Sequence, residues 1–272
     1  MSTIQFAPRH RPLVPLLAVA LASGCALQSA EEEVVKTVAV KPGTVIRIKT
    51  HNGRIDVRPG VAGKVRIRAL KKARATSNPR SLLKKIEVII QPGPQGLRIE
   101  AKHPSGSISK QYGVTFHVRV PPDSKVLTET HNGSIHLQGI RGELRAETHN
   151  GSIKALEVTR PVTLETHNGS VRLEGDPGHF SVVTKNGSIK IRLSGTGRIA
   201  ASSTAKTHNG SIRLWAPPTL TAAIQATTHN GSIRSDFSLE TQSRRAASGT
   251  VGKGGASLSL RTHNGSIRIL KQ

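Results

Sequence analysis

Cysteine, aromatic residues and acidic side chains are all scarce in this chain. Cys25 is the one cysteine among 272 residues, so no disulfide can form within the chain. Aromatic residues make up 2%, which leaves no platform of stacking rings for single-stranded nucleic acid. Asp and Glu number 16 against 40 Lys and Arg, a formal charge of +24. So few recurring acids argue against paired-carboxylate chemistry. The chain also lacks a nucleophile elbow, a phosphate-binding loop and the GGxGxD acids of calcium-binding β-rolls. No catalytic residue, cofactor or metal ligand set is therefore assigned, and the chain reads as a non-enzymatic protein. Its one sustained apolar run, LVPLLAVALA, is too short for a membrane-spanning helix.

That run belongs to a leader. MSTIQFAPRHRP contributes Arg9 and Arg11, the apolar core follows, and LASGC brings small residues up to Cys25. Charge, apolar length and small-residue cleavage site make a secretory signal over 1–24. Its end, Leu21-Ala22-Ser23-Gly24-Cys25, resembles the lipobox of bacterial lipoproteins, with Ala22 where a larger aliphatic residue is usual. The resemblance implies acylation of Cys25 and export to the bacterial cell envelope, with the outer membrane as the expected location. Residues 25–37 read as a lipidated polar tether with Glu31, Glu32 and Glu33 solvated.

What is abundant is one pentapeptide, THNGS, and its first four residues recur most widely. THNG starts at Thr50, Thr130, Thr148, Thr166, Thr207, Thr228 and Thr262, and a variant, TKNGSI, starts at Thr184. Asn132, Asn150, Asn168 and Asn186 follow one another at 18 residues, Asn209 comes after 23, Asn230 after 21 and Asn264 after 34. A fixed period with insertions marks a repeat architecture. Around each copy, apolar residues alternate with polar ones, as in Val162-Leu164-Thr166 before the motif and Val171-Leu173 after it. Period two means strands with one buried face.

Two all-β folds fit. Asn-Gly is a strong hairpin signal and allows an antiparallel meander. A parallel β-solenoid with coils of about 18 residues explains more, because identical positions then lie about 4.8 Å apart on successive rungs. Inward Asn side chains could bond up the stack as a ladder, and Gly would supply positive φ at the corner. The solenoid is expected over 126–272, with a Gly-rich loop bulging out at about 240–256. Irregular β coils and a cap are expected over 38–125, with one or two helical turns in SNPRSLLKKI.

PGTVIRIKTHNGRIDVRPG, GVTFHVRVPPDSKVLTETHNGSIHLQGIRGELRAETHNGSI and the later NGSI coils resemble the bacterial "putative adhesin" family of unknown function. Its members are right-handed β-helices or β-rolls. The resemblance implies a scaffold, adhesin or binding protein and carries over no catalytic site.

Two outward columns remain. His51, His131, His149, His167, His208, His229 and His263 share one repeat position, interrupted by Lys185. Imidazoles one rung apart could share a transition metal, which keeps a metal-binding or envelope-stress role as the alternative. Against it stands the expectation that no Cys, Asp or Glu accompanies them. The second column follows the repeated Ile or Val: His136, then Lys154, Arg172, Lys190, Arg213, Arg234 and Arg268. Like charges at rung spacing repel by about 0.9 kcal/mol per pair in bulk-like dielectric. These six cations are the candidate site for an anionic polysaccharide, lipopolysaccharide or lipid headgroup, with nucleic acid not expected. Earlier coils are expected to offset the charge with Glu129, Glu147 and Glu165.

Overall fold

The structure, a computed structural model, describes residues 28–75, 78–102 and 112–272. The expected signal peptide, its expected cleavage site and Cys25 lie outside the described residues. The N-terminal part comprises β1 (Gln28–Ala39), β2 (Val45–Asn52), β3 (Ile55–Pro59), β4 (Lys64–Ala75), α1 (Pro79–Lys84), β5 (Glu87–Gly93), β6 (Gly96–Lys102) and β7 (Tyr112–Val120). The regular coils are β8 (Lys125–Asn132) with β9 (Ile135–Gln138), β10 (Leu144–Asn150) with β11 (Ile153–Val158), and β12 (Val162–Asn168) with β13 (Val171–Gly175). Next come β14 (Phe180–Asn186) with β15 (Ile189–Leu193), then β16 (Ser203–Asn209) with β17 (Ile212–Ala216). The chain ends with β18 (Ala222–Asn230), β19 (Ile233–Ser235), β20 (Glu240–Ser243), β21 (Ala246–Val251), β22 (Ser257–Asn264) and β23 (Ile267–Lys271).

Each coil places one strand in each of two sheets. The first sheet runs β20-β21-β18-β22-β16-β14-β12-β10-β8-β2-β6-β5 and the second β1-β4-β7-β3-β9-β11-β13-β15-β17-β23-β19. Within the repeat the strands flanking each corner pair parallel and in register there, with Thr148 beside Thr130 and Thr166, and Lys154 beside Arg172, and the register slips only past Ala155 on β11. The strands on either side of Asn150-Gly151 belong to different sheets, so the meander is excluded. Among the described residues, antiparallel pairs occur only at the ends of the stack, at β1/β4, β4/β7, β5/β6, β18/β21 and β20/β21. The core between the sheets is the inward half of the alternation, including Leu164, Val182, Leu173 and Ile191, all fully buried.

Every residue of the repeated corner has a contact to the neighbouring rung. The buried Thr166 hydroxyl donates to Gly151 O at 2.9 Å, and Thr148, Thr184, Thr207, Thr262 and Thr228 repeat the bond at 2.8–2.9 Å. Gly151 N–H donates to Asn168 O at 3.0 Å. Ser188 N–H donates to Ser170 Oγ at 3.3 Å, and Ser211 and Ser266 do the same one and two rungs on. The Asn amides form the expected ladder, with Nδ2 donating to Oδ1 at 2.7–2.8 Å through Asn52, Asn132, Asn150, Asn168, Asn186, Asn209, Asn264 and Asn230.

Two expectations about this corner need correction. The Asn side chains are not inward: the ladder runs along the exposed edge, and Thr is the buried member. Nor is positive φ the common requirement for Gly, because Gly133, Gly151, Gly169 and Gly231 have none. What they share is crowding. A Cβ at Gly151 would lie 2.0 Å from Gly133 O, and one at Gly169 1.9 Å from Gly151 O.

The ends also differ from expectation. From Gln28 on, the expected tether is strand β1, whose Glu31, Glu32 and Glu33 pair with Lys72, Lys71 and Arg68 at 2.7, 2.9 and 2.5 Å. Its Ala30, Val34 and Val38 pack on the core. A period-four apolar spacing on a strand with one weakly covered face does not announce itself as a strand. The expected loop at 240–256 is largely the β20–β21 hairpin, which closes the far edge of β18. The expected helical turns are present as α1, capped by Asn78 Oδ1 accepting from Ser81 N at 3.1 Å.

The last coil is the main topological departure. β22 pairs with both β16 and β18, and β23 with both β17 and β19. The chain therefore builds β18 and β19 first and then returns to fill the gap. The 34 residues from Asn230 to Asn264 are the path out through the hairpin and back.

Candidate functional site

Alternation places both outward columns on sheet faces, but on opposite ones. In the second sheet the inward neighbours Ile153/Ala155, Val171/Leu173, Ile189/Ile191, Ile212/Leu214 and Ile267/Ile269 are buried to the last 1%. The residues between them must then face solvent. Register sets the column as Lys154, Arg172, Lys190, Arg213, Arg268, Arg234, all exposed. All six expected cations are thus brought together, with Arg268 and Arg234 exchanged relative to chain order. Arg172 bonds Glu174 at 2.8 Å. The other five make no ion pair among the described residues.

At the low-numbered end the column meets a buried counter-charge. His136 lies beside Lys154 and Asp56 beside His136. Asp56 is 5% exposed and takes Arg58 at 2.9 Å, Arg54 at 3.2 Å and His136 Nδ1 at 3.4 Å. Burial pushes the Asp56 carboxyl up, but the hydrogen bond from Arg58 and the charges of Arg58, His136 and Arg54 hold it below its ordinary value. Burial lowers His136, against the pull of Asp56.

Around this end stand cations that the THNGS repeat does not point to. Arg54, Arg58, Arg66, Arg68, His117 and Arg119 share a pocket with Asp56. Arg66 pairs in register with Arg119, and Arg68 with His117. Of these, Arg68 is bound to Glu33. The signal for them lies in alternation: the polar positions of KVRIRAL and HVRV alternate as in the repeats, though they carry no THNGS. The basic surface therefore runs along the second sheet from β4 to β19.

The histidines occupy the outer face of the first sheet. His51, His131, His149 and His167 stack ring on ring at 4.7–4.8 Å. His208, His263 and His229 form a second stack at 4.6–4.7 Å, with Lys185 between the two blocks. Glu129, Glu147 and Glu165 stand two residues before three of these histidines on the same strands and line the same groove. The expectation that no acid accompanies the histidines is thus corrected. So is the expectation that these acids offset the cationic column: they are on the other sheet. Even so, no group of three ligating side chains among the described residues is disposed to hold a metal.

The gap in the column has an electrostatic consequence. Burial, the charge of Lys185 and then that of His149 push His167 below its ordinary 6.5. His51 is lowered by burial and by His131. A histidine lowered in the folded state takes up protons less readily than in the unfolded chain. Both therefore cost stability as pH falls through about 6.5 toward their folded values. Lys185→Gln should raise the midpoint of His167 in an NMR titration without restoring it fully, since burial persists. An unchanged midpoint would show that Lys185 does not act on it.

Comparison with known proteins bears on the fold. The model of the Toastrack DUF4097 family matches residues 45–270. A solved "putative cell adhesion protein" from Clostridium sporogenes is 12% identical with a TM-score of 0.37, covering 89% of this chain and 100% of its own. A "putative adhesin" from Bacteroides fragilis is 12% identical with a TM-score of 0.41, covering 88% and 97%. A "putative lipid binding protein" from Parabacteroides distasonis is 10% identical with a TM-score of 0.30, covering 87% and 96%. No curated protein matches the chain. At such identities the names belong to those proteins.

Proposed function

Because the chain belongs to the Toastrack DUF4097 family, we propose that it is a non-enzymatic β-solenoid of the bacterial cell envelope that binds anionic polymers or lipid headgroups. The observation that carries this reading is the unbroken column Lys154-Arg172-Lys190-Arg213-Arg268-Arg234, five of whose members have no ion-pair partner among the described residues. Over five rung steps it spans about 24 Å. A line of that length suits a surface or polymer with repeated negative groups better than one small ligand. Attraction of this kind is Coulombic and falls with salt.

Changing Lys154, Arg172, Lys190 and Arg213 together to Gln should abolish binding to heparin, lipopolysaccharide and anionic vesicles at low salt. Wild type should lose most of its binding at moderate salt. A wild type that binds none of them, or a quadruple variant that binds equally well, contradicts the proposal.

The protein is held at the membrane by an acyl group on Cys25, a reading that rests on LASGC. Expression of Cys25→Ala in a bacterium, followed by fractionation and acyl labelling, tests it. A variant that still carries lipid and sediments with membranes refutes the anchor.

A further inference from the structure

The column of cations has an apolar companion. One outward position further along the same strands stand Arg192 on β15, Trp215 on β17 and Leu270 on β23, in register as neighbours. Trp215 is held outward because Leu214 and Ala216 on either side of it are fully buried. Its ring and Leu270 are half-buried on the outer face. The Arg192 guanidinium lies 5.5 Å from the indole centroid. Lys190, Arg213 and Arg268 fill the adjoining column positions. Of the acids on neighbouring strands, Glu174 lies beside Arg192 and is already bonded to Arg172, and the Asp236 carboxylate accepts from Lys271 N at 3.1 Å.

This placement selects among anions. A soluble polyanion is held by cations at regular spacing and has no apolar depth to receive an indole beside a leucine. The headgroup region of a bilayer offers both halves: phosphates for guanidinium and ammonium groups, and a depth at which tryptophan settles with its ring in the apolar part and its N–H wet. We infer that the second sheet's outer face docks flat on an anionic bilayer, with Trp215 and Leu270 entering the headgroup region and Lys190, Arg192, Arg213 and Arg268 meeting phosphates around them. The inference rests on the anion-binding reading and narrows it to lipid.

Trp215 is the only tryptophan of the chain, so its fluorescence reports this spot alone. The experiment uses the full chain carrying Cys25→Ala, so that no acyl chain holds it to a vesicle. Vesicles of phosphatidylcholine containing phosphatidylglycerol should shift the emission to the blue and shield it from iodide. Pure phosphatidylcholine vesicles and heparin should do neither. Trp215→Ser should weaken binding to the anionic vesicles about tenfold while leaving heparin binding unchanged, with Trp215→Phe intermediate and circular dichroism confirming the fold of each.

Binding to those vesicles with no spectral shift, or with affinity indifferent to Trp215→Ser, would overturn the membrane inference while the charge reading stands. Binding to neither heparin nor vesicles would bring down both. A shift produced equally by heparin would assign the face to soluble polyanions.

Discussion

Gly169→Ala is expected to destabilise the protein by about 3 kcal/mol, the upper part of the range for overpacking a filled interior. The added methyl would lie 1.9 Å from Gly151 O, 2.5 Å from Gly151 C and 3.0 Å from Ser152 N. All of these are backbone atoms in a corner tied to both neighbouring rungs. No side chain can swing aside, so relief requires the rungs to separate. Separation would stretch Gly151 N–H to Asn168 O, the Thr166 hydroxyl to Gly151 O and the Asn168 amide to Asn150, now 3.0, 2.9 and 2.8 Å. The control is Gly43→Ala. Gly43 has φ +76°, and a methyl added there would meet nothing within 4 Å, so its cost is the backbone strain alone, about 1 kcal/mol. Denaturant unfolding of both variants separates crowding from strain. Equal midpoints would mean that crowding at the corner costs no more than backbone strain and would contradict the account of the repeated glycine.

Deleting residues 257–272 should cost far more than loss of an end coil. In a solenoid stacked in chain order, the final coil would peel away and leave the remainder capped by the coil before it. Here β22 and β23 are internal. Their removal would strip β16 and β18 of a common partner, and β17 and β19 likewise. It would also take Leu258, Leu260, Ile267 and Ile269 out of the core, each fully buried. At about 1.5–3 kcal/mol per buried side chain, the loss is about 6–12 kcal/mol, comparable to the whole stability of an ordinary domain. Expression of the truncated chain should give aggregate or a protein unfolded beyond β15. Hydrogen exchange on the intact chain should protect the amides of β22 as well as those of β14. A soluble, cooperatively folding truncation would contradict the insertion.

The sequence and the structure agree where a side chain's role repeats with its register. Period two in Val162-Leu164-Thr166 and Val171-Leu173 is enough for strands, and the fidelity of THNGS is enough for stacking, because a hairpin makes no demand on Thr and Ser. The contact that Thr serves, a hydroxyl to the neighbouring rung's glycine carbonyl, is invisible until two rungs are placed side by side. Chain order is a poor guide to spatial order at the C-terminal end. Spacing shows that extra residues intervene between Asn230 and Asn264, not that the chain uses them to go out and come back.

The sites divide along the same line. Each cation of the column is legible as an outward position after a buried Ile or Val. The face that the glutamates share is legible too, since two-residue spacing from Glu147 to His149 puts both on one side of a strand, but the repeated pentapeptide begins one residue too late to include it. Trp215 is a lone aromatic in the sequence. It acquires a role only when Arg192 and Leu270, distant in sequence, are brought beside it.

The cationic column exists only if these rungs are neighbours in space, and cysteine crosslinking reads that directly. In a Cys25→Ala background, pairs of cysteines replace the corner serines. Ser266 N–H donates to Ser211 Oγ at 3.3 Å, and Ser232 Oγ lies 3.5 Å from Ser266 Oγ. Adjacent parallel strands put such positions about 4.8 Å apart, within the reach of a disulfide, whereas two rungs do not. The account predicts that Ser211→Cys with Ser266→Cys, and Ser266→Cys with Ser232→Cys, crosslink readily under mild oxidation, while Ser211→Cys with Ser232→Cys does not. A ready crosslink in the last pair, with none in the first, would put the coils in chain order and contradict the account.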